Sequence, residues 1–151
     1  MHTNDIPFWK RLALEEMTNM QWESLCDGCG RCCLRKLQFE DTNEIVYTGV
    51  ACALLDISRC RCMSYEDRAV KKPECLVLHP ESLKQSLHLL PDTCAYRLIA
   101  QGRNLPWWHH LVCGDPEMVH EAHISVREKV VSEDNVPEEE LEDYIIDWVV
   151  I

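Results

Sequence analysis

The segment CDGCGRCC, residues 26–33, places four cysteines in eight positions. Cys26, Cys29 and Cys32 form a CxxCxxC spacing, which lets a tight loop turn three sulfurs toward one centre, while Gly28 and Gly30 permit the positive φ values such loops need. Buried cysteine commonly acts as a small hydrophobe. Four cysteines punctuated by glycine and charge do not resemble a core segment, and the spacing points to metal.

The N-terminal stretch lacks an uninterrupted apolar signal region, and no later stretch is long and apolar enough to span a bilayer, so a cytoplasmic location is expected. In that reducing compartment the ten cysteines are metal ligands or redox groups in preference to disulfides. A Cys32–Cys33 disulfide would be strained, because adjacent Cα atoms lie about 3.8 Å apart, below the usual range for a bridge. Neighbouring side chains of an extended segment point to opposite sides, so this pair is expected to address two metals, or one metal and a thiol. Cys52, Cys60, Cys62, Cys75 and Cys94 add five sulfurs to the first four, enough for two four-sulfur sites with one left over.

The net charge of -11 is unevenly spread. From Glu128 to Ile151 nine acidic residues face one basic residue, a balance of -8, whereas eight Lys/Arg offset eight Asp/Glu from Cys26 to Cys75. No large basic face can be built, which argues against nucleic acid or an anionic membrane as partner. A protein or redox partner is the expectation, and oligomeric state is not encoded legibly.

The 151 residues are expected to form one domain, 1–151. Residues 7–24 read as a helix with Phe8, Leu12, Met17 and Met20 along one stripe; Leu37 and Phe39, the DTNE turn and IVYT read as a short hairpin. Further helices are predicted from Ser64 to Lys71, from Pro80 to Leu90, from Pro91 or Asp92 to Gly102, and from Asp115-Pro116 onward. Cys94 falls in a helical first turn, where backbone N–H groups favour a thiolate. ISVREKVV reads as a strand and PEEELEDYIIDWVV as a helix packing Leu141, Tyr144, Ile145 and Trp148 inward. The fold class is α+β, mostly helical, a compact small domain with a short β-hairpin organised around a cysteine-rich metal centre.

The chain resembles the family of small bacterial proteins that carry the CxxCxxCC motif and are grouped as zinc- or iron-chelating domains, and within it the YcgN-like group. The likeness rests on CDGCGRCC, EDTNEI, VAC at 50–52, CRC at 60–62 with Tyr65 and Arg68, PEC at 73–75, LPDTCAYRL at 90–98, LPWWH, GDPE and ISVR. It implies Cys26, Cys29, Cys32, Cys33, Cys52, Cys60, Cys62, Cys75 and Cys94 as metal ligands. The chain departs from that pattern at His110, Cys113 and His123, where the family has proline, a small residue such as serine, and glycine.

Cys113 is accordingly expected to be a small buried hydrophobe, and His109, His110, His120 and His123 packing or hydrogen-bonding residues, since no HExxH-like frame surrounds them. The ferredoxin-like CxxCxxC and the absence of paired CxxC knuckles favour an iron–sulfur cluster with a redox or cluster-dependent role. The alternative is a zinc-binding structural or protein-interaction module, with a carrier of soft ions third. No single activated thiol with a matched base, P-loop or GxSxG element specifies an enzymatic reaction.

Overall fold

Thr18 breaks the expected N-terminal helix into pieces. The computed structural model describes residues 6–63, 66, 68–71 and 78–151. In it α1 (Phe8–Arg11), a 3-10 turn at Leu14–Glu16 and α2 (Asn19–Ser24) replace one long helix. The Thr18 hydroxyl accepts from the Gln21 N–H at 3.1 Å, and the Gln21 side chain accepts from the Thr18 N–H at 2.9 Å. This capping box starts a new helix where the apolar stripe alone would have continued the old one. Phe8 and Met17 still pack on the core, whereas Met20 is 84% exposed.

α2 delivers Trp22 and then Leu25 to a first buried cluster with Leu83, Leu90, Ala95, Tyr96 and Leu105. The Tyr96 hydroxyl donates to the Trp22 carbonyl at 2.9 Å, and the two rings lie 4.7 Å apart. This pair staples α2 to α5 (Ala95–Ala100), which brings the end of one helix beside the start of the other.

The predicted hairpin forms from β1 (Leu34–Gln38) and β2 (Ile45–Ala51), antiparallel, with Leu34 opposite Ala51 and Leu37 opposite Val46. Its turn closes through Phe39 and Glu44 and uses Asn43 at φ 59°, a residue that tolerates the left-handed region. β3 (Leu55–Asp56) and β4 (Arg61–Cys62) make a second, minimal ladder. The expected strand from Ile124 survives only as β5 (Val131–Ser132), which adds parallel to β2. Its earlier part turns instead, with Glu128 at φ 60°, because Val126 is drawn under the cysteine loop: its N–H donates to the Cys29 carbonyl at 2.9 Å.

Other helices are shorter than expected. α3 (Arg68–Lys71) is present, while its proposed Ser64 cap lies outside the described residues. The Pro80 segment yields α4 (Leu83–Ser86) followed by a 3-10 turn. α6 (His110–Cys113) and α7 (Met118–Glu121) follow.

The acidic tail is a correction: Glu138–Tyr144 forms a 3-10 segment, after which Ile145 bridges Thr48 and the Ile146 N–H donates to the Tyr47 carbonyl at 3.0 Å. Like charges one turn apart weaken an α-helix here, and the β-branched Ile145 and Ile146 suit an extended chain against the β2 edge. Leu141 is buried as expected, but Tyr144, Ile145 and Trp148 are exposed. Arg35 anchors the segment through two contacts with Glu138, at 2.7 and 3.1 Å. The result is a small α+β molecule in which helical turns outnumber strands. No helix among the described residues is long and apolar enough to cross a membrane.

Candidate metal centre

Between α2 and β1 the chain folds the CDGCGRCC loop with Gly28 and Gly30 both at φ 74°. At Gly30 the need is double, since a Cβ would lie 2.6 Å from Cys60 Sγ and 2.8 Å from Val126 Cγ2. Asp27 Oδ1 accepts from the Cys29 N–H at 3.0 Å, an Asx turn that sets the first bend. The loop then passes through a 3-10 turn at Arg31–Cys33 into β1.

Three buried clusters meet at this loop. Leu25 belongs to the Trp22 cluster, Cys29 packs with Trp108 and Val119, and Leu34, flanked by Cys33, joins Tyr47, Ala51, Leu55, Cys60, Val126 and Val149. Cys94 packs against the first cluster. The sulfurs thus sit at the seam between packing units.

Side chains from distant segments hold the loop in place. His109, fully buried, donates from Nε2 to the Leu25 carbonyl at 2.7 Å while its Nδ1 accepts from the Leu111 N–H at 3.0 Å, which fixes a neutral tautomer. Burial lowers its pKa. His110, stacked on His109 at 4.6 Å, reaches the Cys26 carbonyl at 3.2 Å. Arg31, only 6% exposed, donates to the Ile124 carbonyl at 2.7 Å and the Thr93 hydroxyl at 3.3 Å, and its guanidinium lies 5.6 Å from the Trp148 ring. The Thr93 contact draws the loop toward Cys94.

The thiols sense one another. Burial pushes the Cys26 and Cys29 thiols up, and the negative charge of Asp27 and of Cys32 adds to both. Cys26 retains solvent access, which moderates the size of its shift and leaves the direction. Cys94 is raised to about 12, first by burial and then by Cys32 and Asp27. The N–H groups of Arg97 and Tyr96 pull it down, as its place at the helix start predicts, but desolvation outweighs them. Cys32 moves the other way, to about 7, because the Cys33 thiol donates to it and Lys36 stands nearby.

That hydrogen bond corrects the expectation that Cys32 and Cys33 diverge. A 3-10 turn sets successive side chains about 120° apart in place of the 180° of a strand, which keeps the two sulfurs near each other.

The second sulfur group is arranged differently. Cys52 sits opposite Cys33 at the end of the hairpin, its N–H donating to the Cys33 carbonyl at 2.8 Å. Cys60 is buried at φ 60°, with its thiol donating to the Cys29 carbonyl at 3.1 Å and its pKa raised by burial to about 11. Cys62 pairs with Leu55 across β3 and β4. Cys75 lies outside the described residues. Among the described residues no disulfide links the cysteines, and no three Cys, His, Asp or Glu side chains already surround a common point closely enough to hold an ion.

Of the remaining candidates, Cys113 is exposed, contrary to expectation, with its thiol directed at the Trp108 and Asp115 carbonyls. It lies four positions after the buried His109, at the end of a helix that Gly114 caps in the αL conformation. His120 bonds the Ser125 hydroxyl at 2.7 Å. His123 adopts φ 62°, which explains why glycine suits that position in the family pattern. Sequence reading missed Asp27, Arg31 and His109 as loop-shaping residues; only the Asp-x-Cys Asx turn had a local signal.

The family model CxxCxxCC, described as a "putative zinc- or iron-chelating domain", matches residues 25–95, which span the loop, the hairpin and Cys94. The chain is 54% identical over 144 residues to a UPF0260 protein of Sinorhizobium fredii, covering 95% of this chain and 92% of the relative. It is likewise 54% identical over 144 residues to a UPF0260 protein of Marinobacter nauticus, covering 95% and 97%. The chain belongs to the UPF0260 family. No solved structure matches it.

The residues of this UPF0260 chain fit the metal that the family model names. The donors are thiols, four of them in the loop and Cys94 beside it, and Asp27 Oδ2 is a buried carboxylate oxygen with no hydrogen-bond partner. A positive ion between these groups reverses the sign of every mutual repulsion that now raises their pKa values. The family is described as zinc- or iron-chelating, and thiol donors suit either ion.

Proposed function

We propose that the protein is a cytoplasmic iron–sulfur protein whose cluster is held by thiolates drawn from Cys26, Cys29, Cys32, Cys33, Cys52, Cys60, Cys62, Cys75 and Cys94, and which serves a redox or cluster-dependent role with a protein or redox partner. One observation carries this reading: backbone N–H groups are aimed at the sulfurs. The Arg31 N–H donates to Cys29 Sγ at 3.5 Å, and the N–H groups of Gly28 near Cys26 and of Arg97 and Tyr96 near Cys94 favour the thiolate forms there. Hydrogen bonds to sulfur, together with burial and nearby charge, set the potential of such clusters. Lys36 supplies positive charge beside Cys32.

A second reading has its own support. Because three separate buried clusters meet at the loop, a zinc ion there would join packing units that share little direct contact, as in a structural or protein-interaction module. Zinc has no redox chemistry, so the two readings separate cleanly. Anaerobic purification followed by visible absorption, iron, zinc and acid-labile sulfide analysis, and electron paramagnetic resonance after reduction is the test. A brown protein with matching iron and sulfide supports the cluster; a colourless protein with stoichiometric zinc overturns it.

A further inference from the structure

We infer that the segment from Glu139 to Val150, with the groove beside it, is a docking face for a protein that presents lysine and arginine around an apolar patch. This gives the partner proposed above a surface and a chemistry. It rests on that reading for a partner to exist and is independent of which ion the cysteines hold.

The segment is held in place and yet keeps its largest apolar side chains outside. The Ile146 N–H donates to the Tyr47 carbonyl at 3.0 Å, the Asp92 N–H donates to the Val150 carbonyl at 2.8 Å, and Leu141 and Val149 are buried. Tyr144, Ile145, Trp148 and Val150 nevertheless stay exposed. Ile145 bridges Thr48, and Val131 pairs with Val50 two residues along the same strand. Bridged residues share a face of a sheet, as do alternate residues of one strand, so Ile145 and Val131, each 41% exposed, stand on one face. A backbone already fixed leaves little to be ordered when another surface arrives, which favours association.

Charge selects the occupant. Glu139, Glu140, Glu142, Asp143 and Asp147 are all exposed, and among the described residues none of them forms an ion pair. Aromatic and aliphatic side chains set among charged ones are the makings of an interface with an apolar centre and a polar rim. A groove of about 650 Å³ runs between this segment and the start of β2, lined by Glu44, Ile45, Asp147 and Val150 among others, and no Lys or Arg lines it. Such a groove suits a long cationic side chain, whose stem is apolar and whose head is charged. The balance of -8 from Glu128 to Ile151 repels nucleic acid, anionic membrane and the same face of a second copy. A small cation would leave Tyr144 and Trp148 in water. A basic protein surface meets both the charge and the rings.

Trp148 joins this face to the cysteine loop. The Arg31 guanidinium lies 5.6 Å from its ring, and Arg31 immediately precedes Cys32. A partner resting on Trp148 therefore stands one side chain away from the loop.

The test places photo-reactive benzoylphenylalanine, which keeps an aromatic ring, at Tyr144 of the full chain in cells that make the protein naturally, and in a parallel strain at Trp107, 65% exposed and outside the segment. Position 144 is expected to capture a protein through a peptide from a lysine- or arginine-rich face, and position 107 is not. Binding of that purified partner is then timed. Glu142→Gln combined with Asp143→Asn is expected to slow association roughly tenfold and to flatten its dependence on salt, while Ile145→Ser speeds dissociation roughly tenfold. Val131→Ser, on the same sheet face, repeats the second measurement should Ile145→Ser fold poorly. No capture at 144, equal capture at 107, or a cross-link to nucleic acid, lipid, a second copy, another part of this chain or a peptide without basic residues overturns the inference. Binding that responds to the charge variant and is indifferent to both serine variants overturns it too, since general attraction to acid would then suffice. A partner bound as expected by a protein that carries no metal overturns the metal-binding reading and leaves this inference standing.

Discussion

The loop from Cys26 to Cys33 and the segment from Cys52 to Cys62 carry similar numbers of sulfurs but are built on opposite plans. In the first, His109 and His110 hold the carbonyls of Leu25 and Cys26, Tyr96 holds that of Trp22, and the loop's own Arg31 donates to the Ile124 carbonyl and the Thr93 hydroxyl. In the second, Cys52 follows the end of β2, Cys62 lies in the β3–β4 ladder, and Cys60 between them donates its thiol to the carbonyl of Cys29. The first plan fixes the backbone from which the sulfurs project, whereas the second spaces its cysteines apart. The second segment thus supports the first through Cys60, which packs with Val126 against Gly30.

Replacing sulfurs tests this contrast most strongly. Cys26→Ser and Cys94→Ser are each expected to empty the first centre, seen as loss of its metal by elemental analysis, while Cys62→Ser leaves that centre loaded. If Cys62→Ser removes as much metal as Cys94→Ser, the two regions form a single site and the contrast fails.

Thiol reactivity follows next. A thiol with pKa about 7 is substantially ionised at neutral pH, whereas Cys60 and Cys94, at about 11 and about 12, stay protonated. In chelator-treated protein Cys32 is expected to be alkylated orders of magnitude faster than either, with a rate rising between pH 6 and 8 and then levelling. The same shifts set the pH dependence of stability. For Cys60 and Cys94 the folded pKa is raised, so their contribution is intact below the unfolded value near 9 and declines as pH climbs toward the folded ones. Cys32 acts in the reverse sense, its contribution being present above about 9 and lost as pH falls through about 7. Mass spectrometry of the alkylated peptides and melting temperatures from pH 7 to 10 check both statements.

Glycine substitutions probe the support beneath the loop. Gly30→Ala combines a left-handed backbone with contacts at 2.6 and 2.8 Å and is expected to cost roughly 2–4 kcal/mol in chemical denaturation. At Gly28 the backbone is the same and no atom lies within 4 Å, so Gly28→Ala should cost about 1–2 kcal/mol. Equal losses would mean that Cys60 and Val126 do not brace the loop. Smallest of all, Cys113→Ser at the exposed end of α6 is expected to leave metal content unchanged and to shift stability by less than about 0.5 kcal/mol.

How much of this was readable beforehand differs between the same two kinds of structure. The hairpin was legible because Leu37, Phe39 and the IVYT stretch alternate around a polar turn, and the glycines of CDGCGRCC announced a loop. The tail misled, since Leu141, Tyr144, Ile145 and Trp148 fall at helical spacing while the part of β2 around Thr48, which β5 does not pair, offers the backbone another partner. Cys94 was placed correctly at a helix start, but its thiol state depends on burial between α2 and the loop, which spacing does not encode. His109 and Arg31 reach residues 84 and 93 positions away, and such bonds leave no local trace.

The grip of Arg35 on Glu138 has an effect beyond anchoring. It tethers the most negative stretch of the polypeptide two residues from Cys33, so a dissolved cation approaching this side meets an attractive field before it meets any sulfur. Loading rates should accordingly slow as background electrolyte is raised and the Debye length shrinks, and anionic chelators should be kept at a distance.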